Sequence, residues 1–377
     1  MPERMVIYMN ILMLTPVFDT GGTETYIENL SFGLKKLGHS VTVVSGGGIR
    51  VSHLDSVGID HIFIKNLDKK GPLHSLKAIV RLGKVLKSIM PDIIHTSSVY
   101  TTLIARLTVL AGMPFSARKP RVILTLHGGP TKDIERKSAK ILKFLNTDTI
   151  AITNTSKNRL IRYGMREERL HQIYNGIDIK KFKKLRSGNL HHKQTQSFKK
   201  DKKIILGFFG RLSGEKGVNQ LVPAMKLITE SIKNIVLIIV GEGPCKGAIL
   251  EEIRANGLEK QIYLTGFQHN PYIIMNDCDL ILLPSLWDTA PMVILEALAL
   301  GKNVIANNVG GIPELLGKTG ICVNPDIHSF VQAILDSVKA KKYLAFNSEG
   351  QKRVERLFSL DNMVKNTAGV YSDSINN

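Results

Sequence analysis

"KIILGFFG", residues 203–210, is an apolar run that closes on a glycine and is followed at once by "RLSGEKGV" (211–218). Its length suits a strand buried on both faces, the kind found in parallel sheets. Its place in the chain decides the fold. It opens a second series of such runs, just past the middle of 377 residues. The first series comprises "NILMLT" (10–15), "SVTVVS" (40–45), "DIIHT" (92–96), "VILTL" (122–126) and "TIAIT" (149–153). The second continues through "IVLIIVG" (235–241), "IYLTG" (262–266), "LILLPS" (280–285) and "NVIA" (303–306). Helical patterns trail these runs, the first over Thr25–Leu37, which is the βαβ rhythm of a parallel sheet covered by helices. A rhythm that runs twice in a chain too long for one ordinary core predicts two domains. The expected fold class is therefore α/β, with two Rossmann-like doubly wound domains facing a cleft. The expected boundaries are residues 1–180, a basic polar linker over 181–202, a second domain over 203–357 and a final segment over 358–377.

Composition narrows the function. The formal net charge is +19. Such a field attracts nucleic acid, anionic lipid or phosphorylated substrates. No finger, RRM signature or alternation of basic and aromatic residues supports nucleic acid, so an anionic membrane surface is the better macromolecular expectation. Three scattered cysteines, Cys245, Cys278 and Cys322, form no zinc or redox pattern and suit a reducing cytoplasm. No apolar run reaches the length of a membrane span. "MNILMLTPVFDTGG" (9–22) reads as a first buried strand and its loop, since no small-residue cleavage site precedes it. That leaves Met9 open as the natural start.

In open parallel sheets ligands sit at the carboxyl ends of strands, so four loops carry the candidate chemistry. In "TPVFDTGGTETY" (15–26), Gly21 and Gly22 bare a helix amino end, which favours an anion; a simple turn is the alternative. No G-x-G-x-x-G follows this strand, which argues against a nicotinamide enzyme. In "FFGRLSGEKGV" (208–218), Gly210 permits close approach, while Arg211 and Lys216 set two cations in one loop. A diphosphate fits them; a solvated turn with Glu215 as partner is the alternative. In "LTLHGGP" (124–130), His127 is placed to project into the cleft, able to donate or accept a proton near neutral pH. A satisfied structural histidine would read the same way.

The fourth is "SLWDTAPMVILEALALGK" (285–302). Pro291 suits the first turn of a helix and Gly301 its end. Asp288 then lies in the loop and Glu296 inside an otherwise apolar helix, where an unpaired carboxylate is expensive. First-turn N–H groups at Met292 and Val293 lack helical partners and could receive a phosphate. "DCD" (277–279) precedes its strand, on the wrong edge for a ligand, and reads as structural. "GIPELLGKT" (311–319) has five residues between its glycines where a phosphate loop needs four. "GEGPCKG" (241–247) could line a nucleotide site.

These stretches, together with "NGID" (175–178), "IVGEGP", "LTGF" and "LLPSLWDTAPMVILEALALGKNVIANNVGGIPELL", resemble the retaining glycosyltransferases of the GT-B fold, family 4, in order and spacing over nearly the whole chain from Met9. The resemblance implies roles. Gly21 and Gly22 match a loop near the donor phosphate, and His127 a histidine on the transferred sugar. Arg211 and Lys216 match the pair that neutralises the donor diphosphate, after Gly210. Glu296 matches the second acid of an E-x7-E motif, on the nucleotide ribose, and Asp288 stands at the first acid, on the sugar. Met292 and Val293 match backbone donors, and Gly266 and Phe267 the surroundings of the base. Two departures bear on the sugar. Asp288 is one methylene shorter than the commoner Glu, and Pro291 replaces a commoner Gly. The resemblance also implies that "FSLDNMVKNTAGVYSDSI" (358–375) crosses back to the first domain.

The expectation is a cytoplasmic enzyme, peripheral on the membrane, that moves a sugar from a UDP- or GDP-sugar to a glycan or lipid-linked acceptor in envelope polysaccharide assembly. It would need no cofactor or metal. Two alternatives stay open: a nucleotide-sugar epimerase of the same fold, and a donor-binding subunit without turnover.

Overall fold

The computed structural model describes residues 8–19, 21–111, 119–129, 131–188 and 190–376. The chain divides into two compact units, Met1–Gly176 with Leu360–Asn377, and Ile177–Ser359.

The first unit holds a seven-stranded sheet: β1 (Asn10–Leu14), β2 (Ser40–Ser45), β3 (Asp60–Phe63), β4 (Ile93–Thr96), β5 (Arg121–Leu126), β6 (Asp148–Ala151) and β7 (Leu170–Gln172). The order is β3-β2-β1-β4-β5-β6-β7, all parallel. It reverses between β1 and β4, so the loops after those strands diverge there. The second unit holds β8 (Ile204–Phe209), β9 (Ile235–Val240), β10 (Ile262–Gly266), β11 (Leu280–Leu283), β12 (Asn303–Asn307) and β13 (Ile321–Val323), in the order β10-β9-β8-β11-β12-β13. Its reversal lies between β8 and β11. Every residue of β8 and β9 is buried, which is why both read as unbroken apolar runs. Both units are thus Rossmann-like, as the two series of runs imply.

Three strands, β3, β7 and β13, escape the apolar-run reading. β3 and β13 contain no fully buried residue, and β7 is three residues long. They are edge strands, where little burial leaves little pattern.

The expected linker over 181–202 is instead folded into the second unit. Two helices occupy it, Ile179–Ser187 and Lys193–Lys200; Asn189 lies outside the described residues. Each helix buries one aromatic, Phe182 or Phe198. The Asp277 carboxylate, fully enclosed, gathers the second helix. It lies 2.5 Å from His191 Nδ1, 2.8 Å from Lys199 Nζ and 2.5 Å from Thr195 Oγ1, and accepts the His192 N–H at 3.0 Å. A few anchors and one buried acid order a segment whose composition reads as solvated. Asp279 accepts the Ile205 N–H at 2.8 Å, so both acids of "DCD" are structural.

The helix Leu360–Asn376 belongs to the first unit. Its Tyr371 is fully buried and bonds His95 Nδ1 at 2.6 Å, and Val364 packs where Gly33 leaves room on the helix Gly22–Lys36.

Candidate active site

In the second unit the loops after β8, β9 and β10 stand shoulder to shoulder. The Gly210 N–H bonds the Val240 carbonyl at 3.0 Å, and the Gly241 N–H bonds the Gly266 carbonyl at 2.9 Å. A side chain at Gly241 would run into the Gly210 carbonyl, so glycine is required for that approach. Leu212 N bonds the Glu242 carbonyl and Cys245 N the Leu212 carbonyl, both at 2.9 Å. Arg211 projects from this clamped backbone into solvent.

The loop after β11 is held from both sides. The Glu215 carbonyl accepts Leu286 N at 2.9 Å and Trp287 N at 3.2 Å. Gly217, at φ +67°, lies against the Pro284 carbonyl, and Gly310, at φ +57°, against the Asp288 carbonyl. Asn307 Nδ2 donates to the Pro284 carbonyl at 2.9 Å. This clamp brings Lys216 Nζ to 2.5 Å from Asp288 Oδ2. The two side chains follow the two strands that flank the topological switch, which is why residues 72 apart in sequence meet. Glu215, the partner offered by the solvated-turn reading, instead accepts from Ser213 Oγ at 2.6 Å.

The helix Met292–Ala299 begins one residue later than the sequence suggests. Pro291 is its N-cap, at φ −65° and ψ 118°, rather than part of its first turn, and Met292 and Val293 open it. Proline lacks an N–H, so the cap position suits it equally well. Gly301, at φ +71°, follows the C-cap Leu300 and ends the helix. Glu296 lies partly buried within it. Burial lifts its carboxyl to about 7; the Tyr272 hydroxyl, donating to Oε1 at 3.1 Å, and the Lys181 charge oppose that rise. Lys181 Nζ sits 4.8 Å from the Tyr272 ring centroid, and Phe182 packs edge-on to the same ring at 5.0 Å. Sequence reasoning misses Tyr272 and Lys181: one stands in an unremarkable short helix, the other in the stretch read as linker. Gly266, at φ +69°, ends β10 beside Glu242, and the following Phe267 leaves 48% of its surface exposed.

In the first unit, Gly21 caps the helix Gly22–Lys36 and both glycines are exposed. Glu24 occupies the first turn, and its carboxylate lies where a side chain on Gly21 would go. The expected anion seat therefore already faces an acid of its own. His127 follows β5. Its Nε2 is buried with no hydrogen-bond partner among the described residues, and Tyr26 from the same glycine-led helix meets its ring edge-on at 4.7 Å. Tyr26 is fixed in turn by Thr125 Oγ1 at 2.9 Å. Burial holds His127 down to about 4 and His95 down to about 3, so both imidazoles are neutral at physiological pH. Tyr26, His95 and Tyr371 are a supporting shell that no motif announces.

The structure thus collects Gly210, Arg211, Lys216, Gly266, Phe267, Asp288, Met292, Val293 and Glu296 on the carboxyl edge of the second sheet. It sets Gly21, Gly22 and His127 on the carboxyl edge of the first. Among the described residues no three His, Cys, Asp or Glu side chains gather into a metal-binding group.

Two Rossmann-like units, each with its candidate residues on the carboxyl edge of its sheet, give the chain the architecture of the GT-B fold. The fold is similar to the crystal structure of Anabaena HepE in complex with UDP-glucose, with a TM-score of 0.82 and 21% identity over 97% of this chain and 100% of that one. Two family models match in succession, Glycosyltransferase Family 4 over residues 20–181 and Glycosyl transferases group 1 over residues 191–353. An uncharacterised glycosyltransferase of Methanocaldococcus jannaschii is 26% identical, covering 96% of this chain and 98% of its own. A UDP-Gal:α-D-GlcNAc-diphosphoundecaprenol α-1,3-galactosyltransferase of Escherichia coli is 27% identical over 81% of each chain. The chain belongs to glycosyltransferase family 4.

Proposed function

We propose that the protein moves a sugar from a nucleoside-diphosphate donor to a glycan or lipid-linked acceptor, with retention of the α configuration and without a metal. The observation that carries this reading is the Lys216–Asp288 pair beside Arg211 at the switch point of the second sheet. Lys216 is 29% exposed and Asp288 10% exposed. A donor diphosphate can draw the ammonium onto itself, which frees the Asp288 carboxylate to accept a sugar hydroxyl. One pair then serves both ends of the bond to be broken. The UDP-glucose bound by the Anabaena structure and the UDP-galactose named for the E. coli relative support a UDP-sugar donor. The diphosphoundecaprenol acceptor named for that relative supports a lipid-linked acceptor.

In the transfer, the bond between the anomeric carbon and the donor phosphate oxygen breaks, and the diphosphate leaves with the electron pair. The acceptor hydroxyl attacks on the same face. Its proton passes to the departing phosphate oxygen, so no protein nucleophile is consumed. Arg211, Lys216 and the N–H groups of Met292 and Val293 stabilise the charge that grows on the diphosphate, the largest expected contribution. Asp288 positions the sugar, Glu296 takes ribose hydroxyls, and Phe267 offers the base a surface.

Replacing Lys216 with Ala should lower kcat/KM for transfer by about a hundred- to a thousandfold, the scale of losing one preorganised charge partner. Near-normal turnover would contradict the diphosphate role. Turnover should also survive a chelator, and the glycosidic product should show the α anomer by NMR. An epimer formed from donor alone would instead point to an isomerase.

A further inference from the structure

The second unit carries a cavity of about 250 Å³ on the edge of its sheet opposite the candidate site. Leu280, Asn303 and Ile321 line it, and they are the opening residues of β11, β12 and β13. These strands are parallel. The cavity therefore sits at their amino ends, while the loop that carries Asp288 leaves the carboxyl end of β11. β12 is five residues long, which at about 3.3 Å per residue puts roughly 15 Å between the two edges. None of the residues given a role in the transfer lines the cavity.

Two asparagines tie the chain that follows the helix Ile327–Lys339 across these strand ends. Asn303 Nδ2 donates to the Lys342 and Ala345 carbonyls at 2.9 and 2.8 Å. Asn347 Nδ2 donates to the Thr319 carbonyl at 2.7 Å, and the Asn347 N–H to the Gly301 carbonyl at 2.8 Å. The cavity wall is thus fixed by hydrogen bonds rather than by loose loops.

The lining is basic at the rim and polar within. Lys318 and Lys342 are exposed and form no ion pair among the described residues. No acid lies between Ser337 and Ser348, a stretch that includes Lys339, Lys341 and Lys342. The acids nearby are engaged: Glu349, on the lining, pairs with Lys352 at 2.9 Å, and Asp279 accepts the Ile205 N–H at 2.8 Å. Two cations without a counterion at one opening favour an anion, and a phosphate above all. Ser337, from the helix, is 2% exposed, and its hydroxyl has no hydrogen-bond partner among the described residues. A buried hydroxyl left unpaired is unfavourable, and a ligand oxygen would relieve it. Asn303, with its amide N–H groups engaged, offers Oδ1 to a ligand hydroxyl. The volume falls just below the ~300–1,000 Å³ of ordinary small-molecule sites. That suits one sugar ring with a phosphate and excludes a whole nucleotide sugar.

We propose that this cavity is a second ligand site, for a small phosphate ester that carries hydroxyl groups, such as a sugar monophosphate. Lys318 and Lys342 hold the phosphate, and Ser337 and Asn303 meet the hydroxyls. The proposal stands on the cavity alone and does not rest on the transfer reading.

The test is calorimetric titration of glucose 1-phosphate, inorganic phosphate and glucose into the full chain, with and without saturating UDP. It compares the wild type, Lys318→Gln/Lys342→Gln, Ser337→Ala and Lys216→Ala. Glucose 1-phosphate should bind the wild type equally with and without UDP. Phosphate and glucose, each lacking half of the contacts, should bind at least about tenfold more weakly. The double lysine variant should lose about tenfold or more, as charge-assisted bonds are removed. Ser337→Ala should lose about threefold, the scale of one neutral hydrogen bond, and melt no lower than the wild type. Lys216→Ala should bind the ester as the wild type does, which separates this site from the donor site. Absence of binding, displacement of the ester by UDP, or inorganic phosphate binding as tightly as the ester would overturn the proposal. So would wild-type affinity in either the double lysine variant or Ser337→Ala.

Discussion

Glu296 carries an unusual charge balance for a carboxyl in a catalytic domain. Folding raises it from 4.5 to about 7, so between those values the folded state holds a proton that the unfolded chain has released. Its contribution to stability is complete below about 4.5 and is lost as pH climbs through about 7. Glu296→Gln should therefore hold its melting temperature at pH 8 where the wild type falls, and differ little at pH 5. The buried imidazoles have the opposite sign. Folding lowers His127 from 6.5 to about 4 and His95 from 6.5 to about 3, so the unfolded chain takes up protons that the folded one refuses. Their contribution is present above about 6.5 and is lost as pH drops toward those values. Tyr272 acts through Glu296 as a positioning residue. Losing one hydrogen bond to a charged group, about 1.5–3 kcal/mol, should move the pH midpoint of nucleotide binding in Tyr272→Phe upward by about one unit. An unmoved midpoint with only a uniform loss of affinity would assign Tyr272 a packing role alone.

At the scale of elements, the site is a set of loops fixed by backbone contacts rather than by side-chain locks. Gly217 and Gly310 each combine positive φ with a carbonyl in the place of a side chain. Replacing either with Ala should destabilise the second unit by at least about 1–3 kcal/mol and weaken donor binding together with stability, as followed by urea unfolding and nucleotide titration. Asp277→Ala should cost about 1–3 kcal/mol by leaving Thr195 Oγ1 and the His192 N–H without their acceptor, with the helix Lys193–Lys200 losing amide-exchange protection first. These same elements mark how far the sequence could be read. The central strands β8 and β9 were plain because full burial forces unbroken apolar runs. Arg211, Lys216, Asp288 and Glu296 were plain because charges beside strand ends and inside an apolar helix are conspicuous. Lys181 and Phe182 were hidden because two aromatics in a polar stretch of more than twenty residues leave no period to detect. The clamp on Asp288 was hidden as well, since it consists of carbonyls and glycines from three separate loops.

At the scale of the molecule, the chain leaves the first unit after Gly176 and re-enters it at Leu360. The two passages run side by side, with Ile177 bridged to Ser359 and its N–H bonded to the Phe358 carbonyl at 3.0 Å. The returning helix gives Met363, Val364 and Tyr371 to the core of the first unit. Tyr371 also fixes His95, whose ring borders the Tyr26 that holds His127. Removing residues 360–377 should therefore destabilise the first unit by more than about 3 kcal/mol, the scale of one lost buried aromatic, while the second unit unfolds as before. Calorimetric titration of UDP and GDP into the wild type and Lys216→Ala tests most directly the proposed diphosphate cradle at the switch point of the second sheet. Binding of at least one nucleotide that weakens about tenfold or more in the variant, as expected when a charge partner worth roughly 1.5–3 kcal/mol is lost, is the predicted result. Equal affinity in the two proteins would contradict it.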